Sequence, residues 1–100
     1  MKNLTREVFE EVIRSKSDLI LLFYKKEDAP STLALQTLRE VDEMHGKPFE
    51  VYIINTASEA EISFAFDIKK VPEYISMKNS KIYKRSNDLL YSNQILDLLK

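Results

Sequence analysis

An acidic and a hydroxyl side chain, Asp28 and Ser31, stand three residues apart in a stretch that also contains Pro30. A carboxylate and a hydroxyl could act as acid and nucleophile if a base lay within about 3 Å. The only histidine, His45, lies further along the same predicted helix, and a rise of 1.5 Å per residue places it roughly 20 Å away. The spacing therefore favours a helix-capping role, in which Asp28 accepts backbone N–H groups at the positive end of the helix dipole.

The overall composition excludes several other kinds of site. The chain has no cysteine and one histidine, so thiol–disulfide exchange has no reagent and a structural zinc ion lacks its usual ligands. The 15 basic and 16 acidic residues nearly cancel, whereas nucleic-acid-binding proteins show a basic excess or a basic stripe. We expect no metal, no cofactor and no nucleic-acid partner.

The length of 100 residues suits a single domain, 1–100. No apolar run approaches the ~20 residues that cross a bilayer. The N-terminal residues are acidic and amphipathic and lack the apolar stretch of a signal peptide. The sequence therefore predicts a cytoplasmic protein without a membrane partner.

Helical and strand patterns alternate along the chain. The continuously apolar run Leu19–Tyr24 is typical of a strand buried on both faces. Thr5 is a candidate helix cap, and Pro30 suits the first position of a helix, where the missing N–H has no helical partner. The predicted elements are a helix after Thr5, a strand at 19–24, a helix from 30 to about 44, a strand at 49–54, a helix at 58–66, a strand at 71–77, a turn at 79–80, a strand with Ile82 and Tyr83, and a helix at 92–100.

This order predicts an α/β protein. Strands joined by helices pair in parallel, and the final hairpin adds an antiparallel edge. We expect a central mixed sheet of about four strands, flanked by helices on both faces.

Three local motifs resemble the thioredoxin family. In the stretch Phe23–Thr32, Asp28 and Ser31 stand where that family has the two cysteines of Cys-x-Pro-Cys. The segment Phe66–Pro72 is similar to Tyr-Gly-Ile-Arg-Gly-Ile-Pro, and Lys78–Ile82 is similar to Lys-Asn-Gly-Glu-Val. The resemblance covers most of the chain and implies a thioredoxin-like fold with a cis bond between Val71 and Pro72.

The departures from the family's pattern concern its reactive groups. Leu22 stands in place of a buried aspartate, and Ile53 in place of a nearby lysine, although Asn55 remains. Glu27 replaces the tryptophan before the first cysteine, and Asp88 replaces a glycine beside the substrate groove. A buried carboxylate costs stability, so its replacement by leucine fits a fold without redox work.

The resemblance implies a groove that can still bind an extended polypeptide through backbone pairing, a mode that needs no cysteine. The residues expected at this groove are Glu27, Asp28, Ala29, Pro30, Ser31, Val71, Pro72 and Asp88. Three alternatives stay open: a subunit that self-associates through an edge strand near Ile82 and Tyr83 or through an apolar helix face, a divergent relative of thiol–disulfide oxidoreductases by fold only, and an enzyme with chemistry unrelated to thiols.

Two further groups of residues suggest surfaces of other kinds. The basic residues of the C-terminal half are expected to be solvated, with an acidic or phosphate-bearing partner as the alternative; they are Lys69, Lys70, Lys78, Lys81, Lys84 and Arg85. Tyr52 and Tyr74 alternate with aliphatic residues, which favours packing in the sheet. A nucleic-acid stacking platform would need an uncovered sheet face.

Overall fold

A computed structural model describes all residues, 1–100. The elements in chain order are β1 (Lys2–Asn3), α1 (Arg6–Arg14), β2 (Leu19–Tyr24), α2 (Ala29–Asp42), β3 (Glu50–Asn55), α3 (Ala60–Ala65), β4 (Glu73–Lys78), β5 (Lys81–Ser86) and α4 (Ser92–Asp97).

The five strands form one mixed sheet in the order β1-β3-β2-β4-β5. Strand β3 pairs in parallel with β1 and β2, and β4 pairs antiparallel with β2 and β5. The predicted α/β class and the mixed sheet are confirmed, but the sheet is not mostly parallel, because two of its four strand pairings are antiparallel. Every residue of β2 is buried.

Helices cover both faces of the sheet, because successive side chains of a strand point to opposite sides. One apolar cluster packs under α1 and α3 around Leu21 and Phe23, and the other packs under α2 and α4 around Ile20 and Leu22. The central strand therefore contributes to both cores.

Strand β1 was missed by the sequence analysis, which predicted about four strands. It has only two residues, Lys2 and Asn3, and both are exposed, so it leaves no alternating pattern to detect. Leu4 fixes this segment, because its N–H donates to the Ile53 carbonyl at 2.9 Å and its side chain is fully buried.

Several predicted boundaries were wrong by one to three residues. Helix α2 ends at Asp42 instead of near 44, α3 spans 60–65 instead of 58–66, and α4 ends at Asp97 instead of 100. Strand β4 starts at Glu73, two residues after Val71. Thr5 occupies the N-cap position of α1, but its side chain makes no capping hydrogen bond.

None of the four helices combines the length and the apolar character needed to cross a bilayer.

Candidate functional site

Three segments meet at one edge of the sheet. Strand β2 ends there at Tyr24, and β4 begins there, with Glu73 paired to Phe23. Strand β5 ends at the same edge, since Ser86 pairs with Tyr74. The fold therefore brings the β2–α2 loop, the segment before β4 and the β5–α4 loop to one edge. We call the eight groove residues of the sequence analysis, 27–31, 71–72 and 88, the loop edge.

The β2–α2 loop satisfies its own polar groups. Asp28 is the N-cap of α2, and its carboxylate accepts the Ser31 N–H at 3.0 Å. The Ser31 side chain is fully buried, and its hydroxyl oxygen accepts the Lys25 N–H at 3.1 Å. Glu27 has a positive φ of 60°, the left-handed conformation that turns the chain into the helix. Asp28 and Ser31 therefore hold the loop, and the predicted capping role of Asp28 is confirmed.

Ala29 and Pro30 follow this cap as the first two residues of α2, and both are exposed. The sequence predicted Pro30 at the first helical position, whereas it is the second helical residue. This position still lies in the first turn, where N–H groups have no helical partner. These two side chains form a small apolar surface at the start of the helix.

The segment before β4 lies next to this surface. The Val71–Pro72 peptide bond is cis. Pro72 is buried, whereas Val71 is half-buried. Val71 lies outside the helices and strands, and its backbone N–H and C=O make no backbone–backbone hydrogen bond in the turns, loops or helix caps. Pro72 and Ser31 are thus the buried members of the loop edge, and the half-buried Val71 leaves its backbone N–H and C=O without a partner.

Asp88 follows the end of β5 and is exposed, with its N–H donating to the Ser86 hydroxyl at 3.1 Å. The start of α4 packs on α2, where the Ser92 hydroxyl donates to the Glu40 carboxylate at 3.2 Å. Asp88 therefore lies on the side of the loop edge that α2 and α4 share.

Three exposed apolar side chains on this side were missed by the sequence analysis. Leu33, Leu89 and Tyr91 are 54%, 51% and 77% exposed. Leu33 lies one turn after Ala29 on α2, and Leu89 directly follows Asp88. A signal was present for Leu33, because it stands outside the inward stripe formed by Ala34, Leu38 and Val41. The start of α2 and the β5–α4 loop therefore carry exposed apolar side chains as well as charges.

Two positions beneath the loop edge, which carry an aspartate and a lysine near the reactive cysteines in the thioredoxin family, are apolar in this chain. Leu22 is fully buried and Ile53 half-buried, and both pack in the α2/α4 cluster. Across the ladder from Leu22 stands Tyr74, whose buried hydroxyl has no hydrogen-bond partner. Burial raises the pKa of Tyr74, and the nearby Leu90 backbone opposes this shift to a smaller extent. The polar group remaining there is held neutral.

A partly buried ion pair involves Glu73, the residue before Tyr74. The Glu73 side chain is 7% exposed, and its carboxylate accepts a hydrogen bond from the Arg85 guanidinium. A second guanidinium nitrogen donates to the Phe66 carbonyl at 2.8 Å, so the pair joins β4, β5 and the end of α3. The hydrogen bond to Glu73 raises the pKa of Arg85 despite partial desolvation. The predicted solvated character of Arg85 thus holds only in part, because its side chain is 35% exposed while its guanidinium is paired with Glu73.

The loop edge is a surface and not a pocket. A cleft of about 400 Å³ lies elsewhere, between α1 and the β1–β3 edge, and its lining includes Lys2, Val12 and Tyr52. No cluster of three potential metal-binding side chains is present. The geometry at the loop edge suits contact with an extended chain better than enclosure of a small molecule.

No protein-family model matches the chain. A relative from rice (Oryza sativa subsp. japonica), thioredoxin Y, chloroplastic, is 27% identical over 100 residues, which cover 99% of this chain and 60% of that protein. The chain thus spans three fifths of the length of this relative.

Two solved structures from malaria parasites share the fold. One, described as a malarial protein, has a TM-score of 0.75 at 19% identity and covers 83% of this chain and 93% of its own. The other is thioredoxin-2, described as a component of the parasite's protein secretion machinery, with a TM-score of 0.77 at 19% identity, covering 83% of this chain and 81% of its own. These likenesses establish a thioredoxin-like fold for a chain without cysteine.

Proposed function

We propose that this chain, a cysteine-less protein of the thioredoxin-like superfamily, is a non-catalytic module that binds a polypeptide partner at the loop edge. The observation that carries the proposal is that an unpaired Val71 backbone and the exposed Ala29 and Pro30 belong to two segments that meet at the same edge of the sheet. A thiol–disulfide step has no cysteine thiol within these 100 residues.

The mode of binding follows from the chemistry of the backbone. One N–H and one C=O at Val71 can pair with an extended segment of a partner, as an added strand does. Apolar side chains of the partner would then rest on Ala29 and Pro30 and reach Leu33 or Leu89. Contact with these exposed groups removes apolar area from water, which stabilises the complex by about 25 cal/mol per Å² of buried apolar area.

The charges around the loop edge would select among partners. Lys25, Lys26 and Glu27 lie on one side and Asp88 on the other, and all are exposed. Rim charges of this kind change association rates and specificity more than affinity. Binding should therefore weaken moderately with salt and depend mainly on the apolar centre.

The test uses a matched pair of variants. Ala29→Arg places a long cation on the first residue of α2, whereas Ala60→Arg makes the same change on the first residue of α3, which is also exposed. The probe is a permanently unfolded, carboxymethylated polypeptide, with binding followed by fluorescence anisotropy.

We expect Ala29→Arg to weaken binding at least about tenfold, equivalent to 1.4 kcal/mol, and Ala60→Arg to leave binding unchanged. Equal binding by wild type and both variants would contradict the proposal. If Ala29→Arg alone weakens binding, capture from the source lysate with wild type and the same two variants would identify the natural partner.

Self-association through β5, the alternative in the sequence analysis, is less well supported. The pairing of β4 with β5 shifts register between Ser76 and Met77, so Tyr83 bulges from the ladder. Lys81 and Lys84 are exposed on the same short strand. Bulges and lysines at an edge strand oppose pairing with another chain.

A cytoplasmic location is part of the same proposal. The rice relative is chloroplastic by name. Fluorescence microscopy of the tagged full-length protein in its own cell tests this location, and an organellar signal would contradict it.

A further inference from the structure

The most exposed large apolar side chain of the molecule lies outside the loop edge. Phe64, on α3, is 89% exposed. Ile62 and Phe66 of the same segment are buried against the sheet, so Phe64 points away from the core. A phenyl ring left in water is unfavourable, since its transfer to an apolar site is one of the larger gains available to a side chain.

An apolar cleft lies beside this ring. It has a volume of about 190 Å³, lies between α1 and α3, and is lined by Arg6, Phe9, Glu10, Glu61, Ile62 and Ala65. Phe64 does not line this cleft. An apolar cavity of about 150 Å³ holds a benzene molecule in another protein, so the cleft is large enough for a phenyl ring.

The projecting ring and the cleft share one face of the molecule. Glu61 and Ala65, which line the cleft, stand three residues before and one residue after Phe64 on α3. In a two-fold dimer the same patch meets itself, so each ring can enter the other copy's cleft. The charges at the rim are balanced within each copy, because Arg6 pairs with Glu61 at 3.0 Å and Glu10 pairs with Arg14 at 3.1 Å, so two such faces meet without an excess of one charge.

From these observations we propose that a second copy of this chain docks on the α1/α3 face, with Phe64 of each copy in the cleft of the other. None of the six residues that line the cleft belongs to the loop edge, so different variants test the two proposals. Each Arg6 would then face carboxylates of both copies across the rim.

The size of the face indicates a weak dimer. Helix α1 has nine residues and α3 has six, which correspond to lengths of roughly 14 Å and 9 Å at 1.5 Å per residue. Two such helices packed about 9 Å apart bury far less than the roughly 1,200 Å² at the lower end of stable interfaces. We expect a dissociation constant on the order of 0.1–1 mM.

The test is sedimentation equilibrium of the full chain from about 20 µM to about 2 mM, a range that brackets the expected constant. The mass should rise from 11.7 kDa towards twice that value. Phe64→Asp and Ala65→Arg, which remove the ring and fill the cleft, should each weaken association at least tenfold. Both residues are exposed, so neither change should disturb folding.

Two other variants locate the contact. Tyr91→Asp changes another highly exposed aromatic residue, on the α2/α4 side, and should leave association unchanged. Ile82→Asp changes the β5 edge and should also leave it unchanged. A constant mass of 11.7 kDa at every concentration, or association lost in Ile82→Asp but kept in Phe64→Asp, would overturn the proposal.

A photo-crosslinking group at position 64 identifies the occupant directly. A crosslink between two copies that joins position 64 to the segment around Ala65 is the expected product. A crosslink to a different protein in the source lysate, with none between copies, would overturn the second copy as occupant. Because these variants leave Ala29 and Val71 intact, failure here is distinguishable from failure of polypeptide binding.

Discussion

The β2–α2 loop and the β4–β5 hairpin satisfy their polar groups in different ways. In the loop, Asp28 and Ser31 bind backbone N–H groups three and six residues away. In the hairpin, Glu73 binds Arg85 twelve residues on, and buried Ser76 donates to the Leu98 carbonyl at 2.7 Å, twenty-two residues on. The loop is therefore a local cap where the resembled family has its reactive cysteines, and buried polar contacts between elements lie in the hairpin.

Breaking the hairpin's ion pair should have the largest effect. Arg85→Ala leaves the Glu73 carboxylate buried without a partner, and we expect a loss of about 2–3 kcal/mol in the free energy of unfolding, below the usual range for buried pairs because Arg85 is 35% exposed. Urea denaturation measures it. Arg14→Ala, which breaks the exposed pair with Glu10, should cost under about 0.5 kcal/mol.

A second variant separates charge from packing in this prediction. Adding Glu73→Gln to Arg85→Ala removes the unpaired charge and should restore part of the lost stability. If the two arginine variants, Arg85→Ala and Arg14→Ala, were equally stable, the hairpin pair would contribute no more than a surface contact.

Restoring the thiols in the loop tests whether the loop alone can support redox chemistry. The double variant Asp28→Cys with Ser31→Cys should form a disulfide, because the loop has the family's spacing. Its rate of insulin reduction should be at least about tenfold below that of a thioredoxin, or 1.4 kcal/mol in activation free energy. The reason is that Leu22 and Ile53 beneath the loop cannot transfer protons.

A normal thioredoxin rate in this double variant would show that the apolar residues beneath the loop do not limit the chemistry. The single variant Ser31→Cys, which cannot form an intramolecular disulfide, serves as the control for nonspecific thiol reduction.

Removing the helix cap should have a smaller effect. Asp28→Ala leaves the Ser31 N–H without its acceptor, and we expect a loss of about 1 kcal/mol. Asp28→Asn, which keeps an acceptor oxygen, should recover most of this loss. Glu59→Ala is the matched control, since Glu59 is the N-cap of α3 without a side-chain capping bond; an equal loss in both alanine variants would contradict the capping role.

The smallest effect is expected at Tyr74. Its hydroxyl is buried without a partner, so Tyr74→Phe should be neutral or stabilise the fold by up to about 1 kcal/mol. The pKa of Tyr74 is raised from 10.0 in the folded state, so the unfolded chain loses this proton first and wild-type stability falls as pH rises above 10. Between pH 8 and about 11.5, the free energy of unfolding should fall less steeply with pH for Tyr74→Phe than for wild type. Identical slopes for the two proteins would contradict the raised pKa of Tyr74.

The features that could be predicted from the sequence are those that depend on residues close together along the chain. The apolar run Leu19–Tyr24 and the cap at Asp28 depend on neighbouring residues, and both were predicted. Strand β1 depends on a pairing with Tyr52 fifty residues away and has no pattern of its own. The Glu73–Arg85 pair is set by the register of the hairpin, which composition does not specify.

The candidate site shows the same division. The eight residues of the loop edge come from three segments, and a resemblance was needed to bring Asp88 to the same edge as Val71. Sequence reasoning did not show that Ser31 and Pro72 are buried, or that Leu33 and Leu89 are exposed. These facts depend on how α2, α4 and the β5–α4 loop pack on the sheet.

The most direct test of polypeptide binding at the loop edge is a map of backbone amide shifts by NMR during titration with the carboxymethylated, unfolded polypeptide. We predict the largest shifts at Val71, with smaller ones at Ala29 and Leu33, and no change at Phe64 or along β5. Unchanged signals at Val71 and Ala29, together with shifts on β5 or on the α1/α3 face, would contradict binding at the loop edge.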